Sequence, residues 1–162
     1  MNISSWPSYT EEDIATTSKI LKSGKVNYWT GSECKSFEKD FSALFKSNYS
    51  IALANGSVAL SAAYKSLSLD KGDEIITTPR TYIATSSSAI LEGLKPVFAD
   101  IDRDSGCITA KTIEPLINDK TRAISVVHIG GWPADMENIC SLAKHYDLKV
   151  IEDCAQSPGA KI

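Results

Sequence analysis

The chain has 162 residues, of which 43% are hydrophobic and 23% charged, with a net charge of −3 and a pI near 5.4. This size and composition suit one soluble domain with a real core. Mild acidity, with lysines and arginines scattered along the chain, excludes an electrostatic nucleic-acid binder, and no apolar run is long enough to span a membrane.

The first predicted element is a helix from Thr10 to Gly24. Thr10 is its N-cap, Glu11, Glu12 and Asp13 fill the first turn, and Gly24 closes it. A loop follows, Lys25-Val26-Asn27-Tyr28-Trp29-Thr30-Gly31. Ser32 is expected to cap a second helix, in which Phe37, Phe41, Leu44 and Phe45 recur at helical spacing. From about residue 49 strand and helix alternate. Ser50 to Ala54 reads as a strand, Ser57 to Leu69 as a helix, Glu74 to Thr78 as a strand, and Thr81 to Glu92 as a helix closed by Gly93. Pro96 to Asp100 is the next strand, Thr109 to Ile117 the next helix, and Ala123 to Val127 another strand. Asp135 caps a helix to about Tyr146, and Leu148 to Ile151 is the last strand.

Such alternation predicts an α/β fold: a mostly parallel sheet with helices on both faces and right-handed crossovers. Residues 1–48 read as an N-terminal helical segment with a loop, and residues 49–162 as the α/β domain. Met1-Asn2-Ile3-Ser4-Ser5-Trp6-Pro7 lacks the order of a signal peptide. Cys34, Cys107, Cys140 and Cys154 form no C-x-x-C pair and share no ligand spacing with His128 or His145. Reduced thiols, a cytoplasmic location and no bound metal are therefore expected.

In a parallel sheet the segments that follow the strands share one rim, where open α/β folds place ligands. Asn55-Gly56-Ser57 opens a helix there. Gly56 lets a ligand approach the backbone, and first-turn N–H groups with the Ser57 hydroxyl can hold a phosphate. Equally, Ser57 can be a plain helix cap. Tyr82 can stack on a planar ring or cover the base of its helix. Asp153 can hold a heteroaromatic nitrogen in its protonated form or cap the following turn. His128 can be a satisfied loop histidine, and Trp29 and Trp132 can close a site or simply pack. No G-x-G-x-x-G and no G-K-[ST] is present, so dinucleotide and P-loop readings lack their defining residues. A phosphate cradle, a stacking aromatic and a carboxylate on one rim together match the needs of pyridoxal 5'-phosphate (PLP).

The motifs also match a known family in order and spacing. They run from Ser23-Gly24 through Tyr28-Trp29-Thr30-Gly31, Phe37-Glu38, Asn55-Gly56-Ser57-Val58-Ala59-Leu60, Gly72-Asp73-Glu74-Ile75-Ile76 and Thr78-Pro79-Arg80-Thr81-Tyr82. Pro96 to Asp102, Val127-His128-Ile129-Gly130-Gly131 and Glu152-Asp153-Cys154-Ala155-Gln156 complete the series. The chain resembles the DegT/DnrJ/EryC1/StrS family of PLP-dependent sugar aminotransferases. The resemblance implies part of the large domain of the aspartate-aminotransferase fold type (PLP fold type I). It assigns Gly56 and Ser57 to the PLP phosphate, Tyr82 to the ring face, Asp153 to the pyridine nitrogen and Gln156 to the neighbourhood of the ring hydroxyl. Thr30, Gly31 and His128 fall on the substrate side. The implied reaction moves an amino group from glutamate to a keto-sugar on a nucleotide diphosphate, for O-antigen, capsule, lipopolysaccharide or other polysaccharide sugars. Homodimers are implied as well.

The family's Schiff-base lysine and small C-terminal domain follow the Asp153 segment and are absent from this sequence. No residue is therefore assigned a covalent catalytic role, and the chain alone is expected to be inactive. Lys71, Lys95 and Lys149 precede strands, on the opposite rim, and Lys161 sits in a short tail. Two other readings remain: a non-catalytic binding or assembly partner, and an unrelated nucleotide- or flavin-binding α/β domain of flavodoxin-like outline.

Overall fold

A computed structural model describes residues 7–161. The reading of Met1 to Trp6 as lacking a signal sequence lies outside the described residues, as does Ile162. The chain divides into two compact units, one up to Ala52 and one from Leu53 onward.

The first unit holds α1 (Glu11–Ser23) and α2 (Glu33–Phe45). Thr10 forms a full capping box with Asp13, and Gly24 takes the left-handed conformation at φ 68° that ends α1. Hydrogen bonds from Thr10 hold the Asp13 carboxyl below its usual range. Ser32 does not cap α2. Its backbone is already in the helical region, so the hydroxyl cannot turn back to the first-turn amides and lies instead 3.5 Å from Glu33 Oε1. Phe37, Phe41 and Phe45 run along one side of α2, with successive ring centroids 5.5 and 4.4 Å apart.

The second unit is built on a four-stranded sheet, in which β1 (Glu74–Thr77), β2 (Lys95–Phe98), β3 (Thr121–Val127) and β4 (Lys149–Asp153) lie in the order β2-β1-β3-β4. Every pairing is parallel. The connections carry α3 (Gly56–Ser66) before β1, α4 (Ala84–Leu91) between β1 and β2, α5 (Ala110–Ile113) before β3, and α6 (Met136–His145) between β3 and β4. Asp135 caps α6 through Asn138 N, and Thr109 forms a capping box with Thr112 on α5. The α5 segment is shorter than its pattern suggested and passes into a 3₁₀ turn at Glu114–Leu116, where Pro115 has no N–H to continue an α-helix. No helix among the described residues is long and apolar enough to cross a membrane.

Side-chain alternation along the strands creates two cores. Ile76, Ile124 and Val126 pack with Ile113, Ile139 and Ala143 of α5 and α6. Ile75 and Ala123 pack on the other face with Tyr64 of α3 and Ala89 of α4. Neighbouring residues of one strand thus enter opposite cores, as the two-residue period of a strand requires. The α/β prediction with both sheet faces covered describes this fold.

One expected strand is missing. Residues 50–54 join no ladder among the described residues, and the chain bends at Ala54. The Ala52 N–H goes instead to Glu38 Oε1, 2.8 Å away. Ile51 and Leu53 are 76% and 44% exposed, so no sheet face buries them. An apolar run becomes a strand only when a neighbour supplies the other half of its hydrogen bonds.

Candidate functional site

The strand order sets where a site can form. The chain leaves β1 toward β2 on one side of the sheet and leaves β3 toward β4 on the other. The carboxyl ends of β1 and β3 therefore flank a topological switch point, the place where open parallel sheets bind ligands. A cavity of about 270 Å³ lies there. Gly56 and Ser57 of α3 line it, with Thr81, Tyr82 and Thr85 after β1, Val127 at the end of β3, and Asp153 and Gln156 at and beyond the end of β4. All five residues expected at a cofactor thus share one cavity.

At the α3 end, Asn55 is the cap. Its side chain accepts the Val58 N–H at 3.0 Å, which frees the Ser57 hydroxyl from that task. The N–H groups of Gly56 and Ser57 have no partner among the described residues. A Cβ added at Gly56 would meet no heavy atom within 4 Å, so internal packing does not call for the glycine. What the missing side chain leaves open is approach to the backbone, next to the positive end of a helix dipole.

The Tyr82 ring is 70% exposed, a flat apolar surface at the cavity wall rather than a packed residue. Asp153 Oδ1 accepts the Ala155 N–H at 3.2 Å, so the residue does cap the turn after β4. Asp153 Oδ2 accepts from the Thr85 hydroxyl at 3.0 Å. Gln156 Oε1 accepts the Gly130 N–H at 2.8 Å, which leaves its NH₂ group as the end free to donate.

Sequence reasoning missed the support behind Asp153. Thr85 is 1% exposed, and its carbonyl accepts from Tyr64 OH at 2.8 Å. Tyr64 OH also contacts Ser125 Oγ at 2.9 Å. Burial raises the Tyr64 phenol above its usual range, the Ser125 hydrogen bond opposes that, and the charge of Asp153 adds to it. The phenol therefore stays protonated and donating. A sequence clue existed: Thr85, Ser86 and Ser88 are polar residues crowded onto a short helix that an open sheet must cover.

His128 is not in the cavity lining. It is 5% exposed, and both ring nitrogens are engaged within the protein. The Ala134 N–H donates to Nδ1 at 3.0 Å, which puts the ring proton on Nε2, 3.0 Å from Glu152 Oε2. Cys154 lies with this pair, all three potential ligand atoms within 4.8 Å of one another. The arrangement suits hydrogen bonding better than metal binding. A metal on Nε2 would force the proton onto Nδ1, against an amide that can only donate. Burial and then the Glu152 charge also push the Cys154 thiol up, away from the thiolate that binds metals.

Thr30 and Gly31 line a cavity of about 520 Å³ within the first unit, with Lys19 and Lys25. Asn27 builds that loop: its Oδ1 accepts from Trp29 N, Thr30 N and the Thr30 hydroxyl at 3.0, 3.0 and 3.1 Å. Gly31 is required there, because a Cβ would lie 2.6 Å from the Lys25 carbonyl oxygen. Trp132 and Lys161 line a different cavity of the second unit, with Asp135 and Glu137.

The family model for DegT/DnrJ/EryC1/StrS aminotransferases matches residues 7–162. The chain belongs to the DegT/DnrJ/EryC1/StrS aminotransferase family. Solved members of this fold superpose closely. An aminotransferase from Psychrobacter cryohalolentis is 47% identical with a TM-score of 0.96, covering 99% of this chain and 40% of that one. NtdA from Bacillus subtilis, solved with bound cofactor PMP, is 32% identical with a TM-score of 0.86, covering 93% of this chain and 35% of that one. A mutant of the GDP-4-keto-6-deoxymannose-3-dehydratase ColD with bound GDP-perosamine is 26% identical with a TM-score of 0.86, covering 95% and 41%. The chain spans about two-fifths of the length of these structures. The expected family and fold type are therefore those of this DegT/DnrJ/EryC1/StrS chain.

Proposed function

We propose that the chain forms the cofactor-holding part of a PLP-dependent aminotransferase that takes its amino group from glutamate and gives it to a nucleotide-linked keto-sugar. One observation carries this reading: Gly56, Ser57, Tyr82, Asp153 and Gln156 line a single cavity at the switch point of a parallel sheet. The residues fit pyridoxal phosphate group by group. Two partnerless N–H groups and a hydroxyl meet an anion, an exposed phenol ring meets a flat heterocycle, and a carboxylate meets a basic ring nitrogen.

When bound, the cofactor supplies an electron sink for the carbon that carries the amino group. Binding and orienting it fall to this chain's residues. Gly56 and Ser57 anchor the phosphate, and Tyr82 fixes the ring plane. Asp153 holds a proton on the pyridine nitrogen, and the free NH₂ group of Gln156 donates toward the ring hydroxyl. Thr30 and Gly31 shape the substrate side, while His128 acts through the loop it pins by way of Ala134. The nucleotide-sugar class is supported by the dehydratase relative with bound GDP-perosamine and the cofactor by the PMP bound to NtdA. Four free cysteines accord with a reducing, cytoplasmic setting, and we place the enzyme in polysaccharide sugar synthesis as a homodimer.

Titration with pyridoxamine phosphate, followed by its fluorescence, tests the site. Saturable binding is expected, and Asp153→Asn should weaken it about 10- to 100-fold, the worth of one hydrogen bond to a charged group. A parent protein that takes up flavin and ignores pyridoxamine phosphate, or an Asp153→Asn variant that binds like the parent, would overturn the proposal.

A further inference from the structure

We infer that Thr85 is a positioning residue for Asp153 and that Thr81 orients it, so that α4 aims the carboxylate into the cavity. The inference rests on the proposed cofactor site and goes beyond it to residues that the site's lining alone does not assign. Three contacts carry it. Thr85 Oγ1 lies 3.0 Å from Asp153 Oδ2, Thr81 Oγ1 lies 3.0 Å from Thr85 Oγ1, and Tyr64 OH lies 2.8 Å from the Thr85 carbonyl oxygen.

The chemistry of the groups gives these contacts a direction. A hydroxyl has one proton to donate, and an ionised carboxylate only accepts. Thr85 therefore spends its proton on Asp153, and the Thr81 hydroxyl must be the donor to Thr85. On the other side a carbonyl also only accepts, so Tyr64 donates to Thr85 O, and Ser125 Oγ donates to Tyr64 OH. Both chains run one way and both end on α4 or on the carboxylate it faces. Alternative hydroxyl orientations are closed off by the acceptors at the two ends.

The consequence for Asp153 is geometric. One oxygen is tied to the backbone N–H of Ala155 and the other to Thr85. Two fixed points hold the plane of the carboxylate, so it does not swing when the cavity fills. A preset acceptor binds its partner without first losing side-chain freedom. The same helix reaches the other end of the cavity, where Ser88 Oγ donates to the Ser57 carbonyl at 3.2 Å. Tyr82 sits in the turn that leads into this helix, two residues before its first residue, Ala84. One short element thus sets the spacing between the anion cradle, the ring platform and the carboxylate.

Thr85→Val keeps the shape and removes the hydroxyl, Thr85→Ser keeps the hydroxyl, and pyridoxamine phosphate is titrated against each. Thr85→Val should weaken binding about tenfold and Thr85→Ser less than about threefold, a charge-assisted hydrogen bond being worth somewhat more than a neutral one. The deciding probe is a pyridoxamine phosphate analogue with carbon in place of the ring nitrogen, which gives Asp153 no proton to hold. If Thr85 acts by aiming Asp153, Thr85→Val leaves affinity for that analogue unchanged. Equal losses for both ligands would mark Thr85 as a mere packing residue and overturn the inference, as would parent-like binding of pyridoxamine phosphate by Thr85→Val. If Thr85→Val does not fold, Thr81→Val is titrated with the same pair of ligands: a loss confined to pyridoxamine phosphate supports the inference, and equal losses or none overturn it. A parent protein without saturable binding overturns the cofactor reading itself, and that failure shows before any variant is made.

Discussion

Replacing Tyr64 by phenylalanine removes one oxygen from the middle of the second unit. The ring is 1% exposed and packs with Ile75, Ala89, Leu94 and Ala123, and phenylalanine preserves that packing. Two hydrogen bonds disappear, at 2.8 Å to the Thr85 carbonyl and at 2.9 Å from Ser125 Oγ. Each is worth roughly 1 kcal/mol net. Ser125 is 0% exposed and loses the acceptor for its hydroxyl, which places the total at about 2–3 kcal/mol. With a urea slope of about 1–3 kcal/mol/M, the denaturation midpoint should fall by about 1 M or more. Trp132 fluorescence, with Trp6 and Trp29 replaced by phenylalanine, reports on the unit that contains Tyr64. Adding Ser125→Ala removes the stranded hydroxyl, so the double variant should be less destabilised than the sum of the singles by about 1 kcal/mol. A Tyr64→Phe variant within about 0.5 kcal/mol of the parent, the scatter of surface changes, would refute the reasoning. Strict additivity of the two substitutions would do the same.

Two further outcomes are expected. Gly106 has φ +69°, and a Cβ there would collide with Arg80 Nη1, which donates to the Gly106 carbonyl at 3.2 Å. Gly106→Ala should therefore lower the melting temperature, and an Arg80→Ala background should restore only part of the loss, because the left-handed backbone still costs alanine about 1–2 kcal/mol. Complete restoration would show that the backbone adds nothing to the loss. Hydrogen bonds from the Lys95 ammonium and then from the Asn118 amide hold the Glu74 carboxyl below its ordinary value of 4.5. As pH falls, the unfolded chain takes up that proton first. The stabilisation is therefore complete above the ordinary value and is lost as pH drops through it toward the lower folded value. Urea midpoints measured from about pH 6 to pH 3 should fall less steeply in Glu74→Gln than in the parent, and identical slopes would count against the role of this carboxylate.

Local signals in the sequence were reliable where a residue's partner is close along the chain. Thr10 and Asp135, the two caps read from the sequence, each bond an amide three residues on, at Asp13 and Asn138, and both form. Ser32 fails because capping depends on backbone dihedrals that the residue type does not set. Helix α4 begins at Ala84 rather than Thr81: the chain first makes tight turns, with Thr85 N bonded to Tyr82 O and Ser86 N to Ile83 O. Those turns leave Tyr82 outside the helix, at the cavity wall.

What the order of residues determined by itself was chemistry and period: an alternating α/β pattern, a helix opening at Asn55-Gly56-Ser57, and a carboxylate ending the strand at Asp153. Neighbourhood was decided only by the folded chain. Thr85 lies 68 positions from Asp153 and Tyr64 lies 61 from Ser125, distances across which no periodicity carries information. The same holds for residues 50–54, whose apolar run was plain but which pair with no strand among the described residues. Hydrogen bonds to a distant segment depend on which strands lie side by side, and strand order in a parallel sheet is a property of the packed whole.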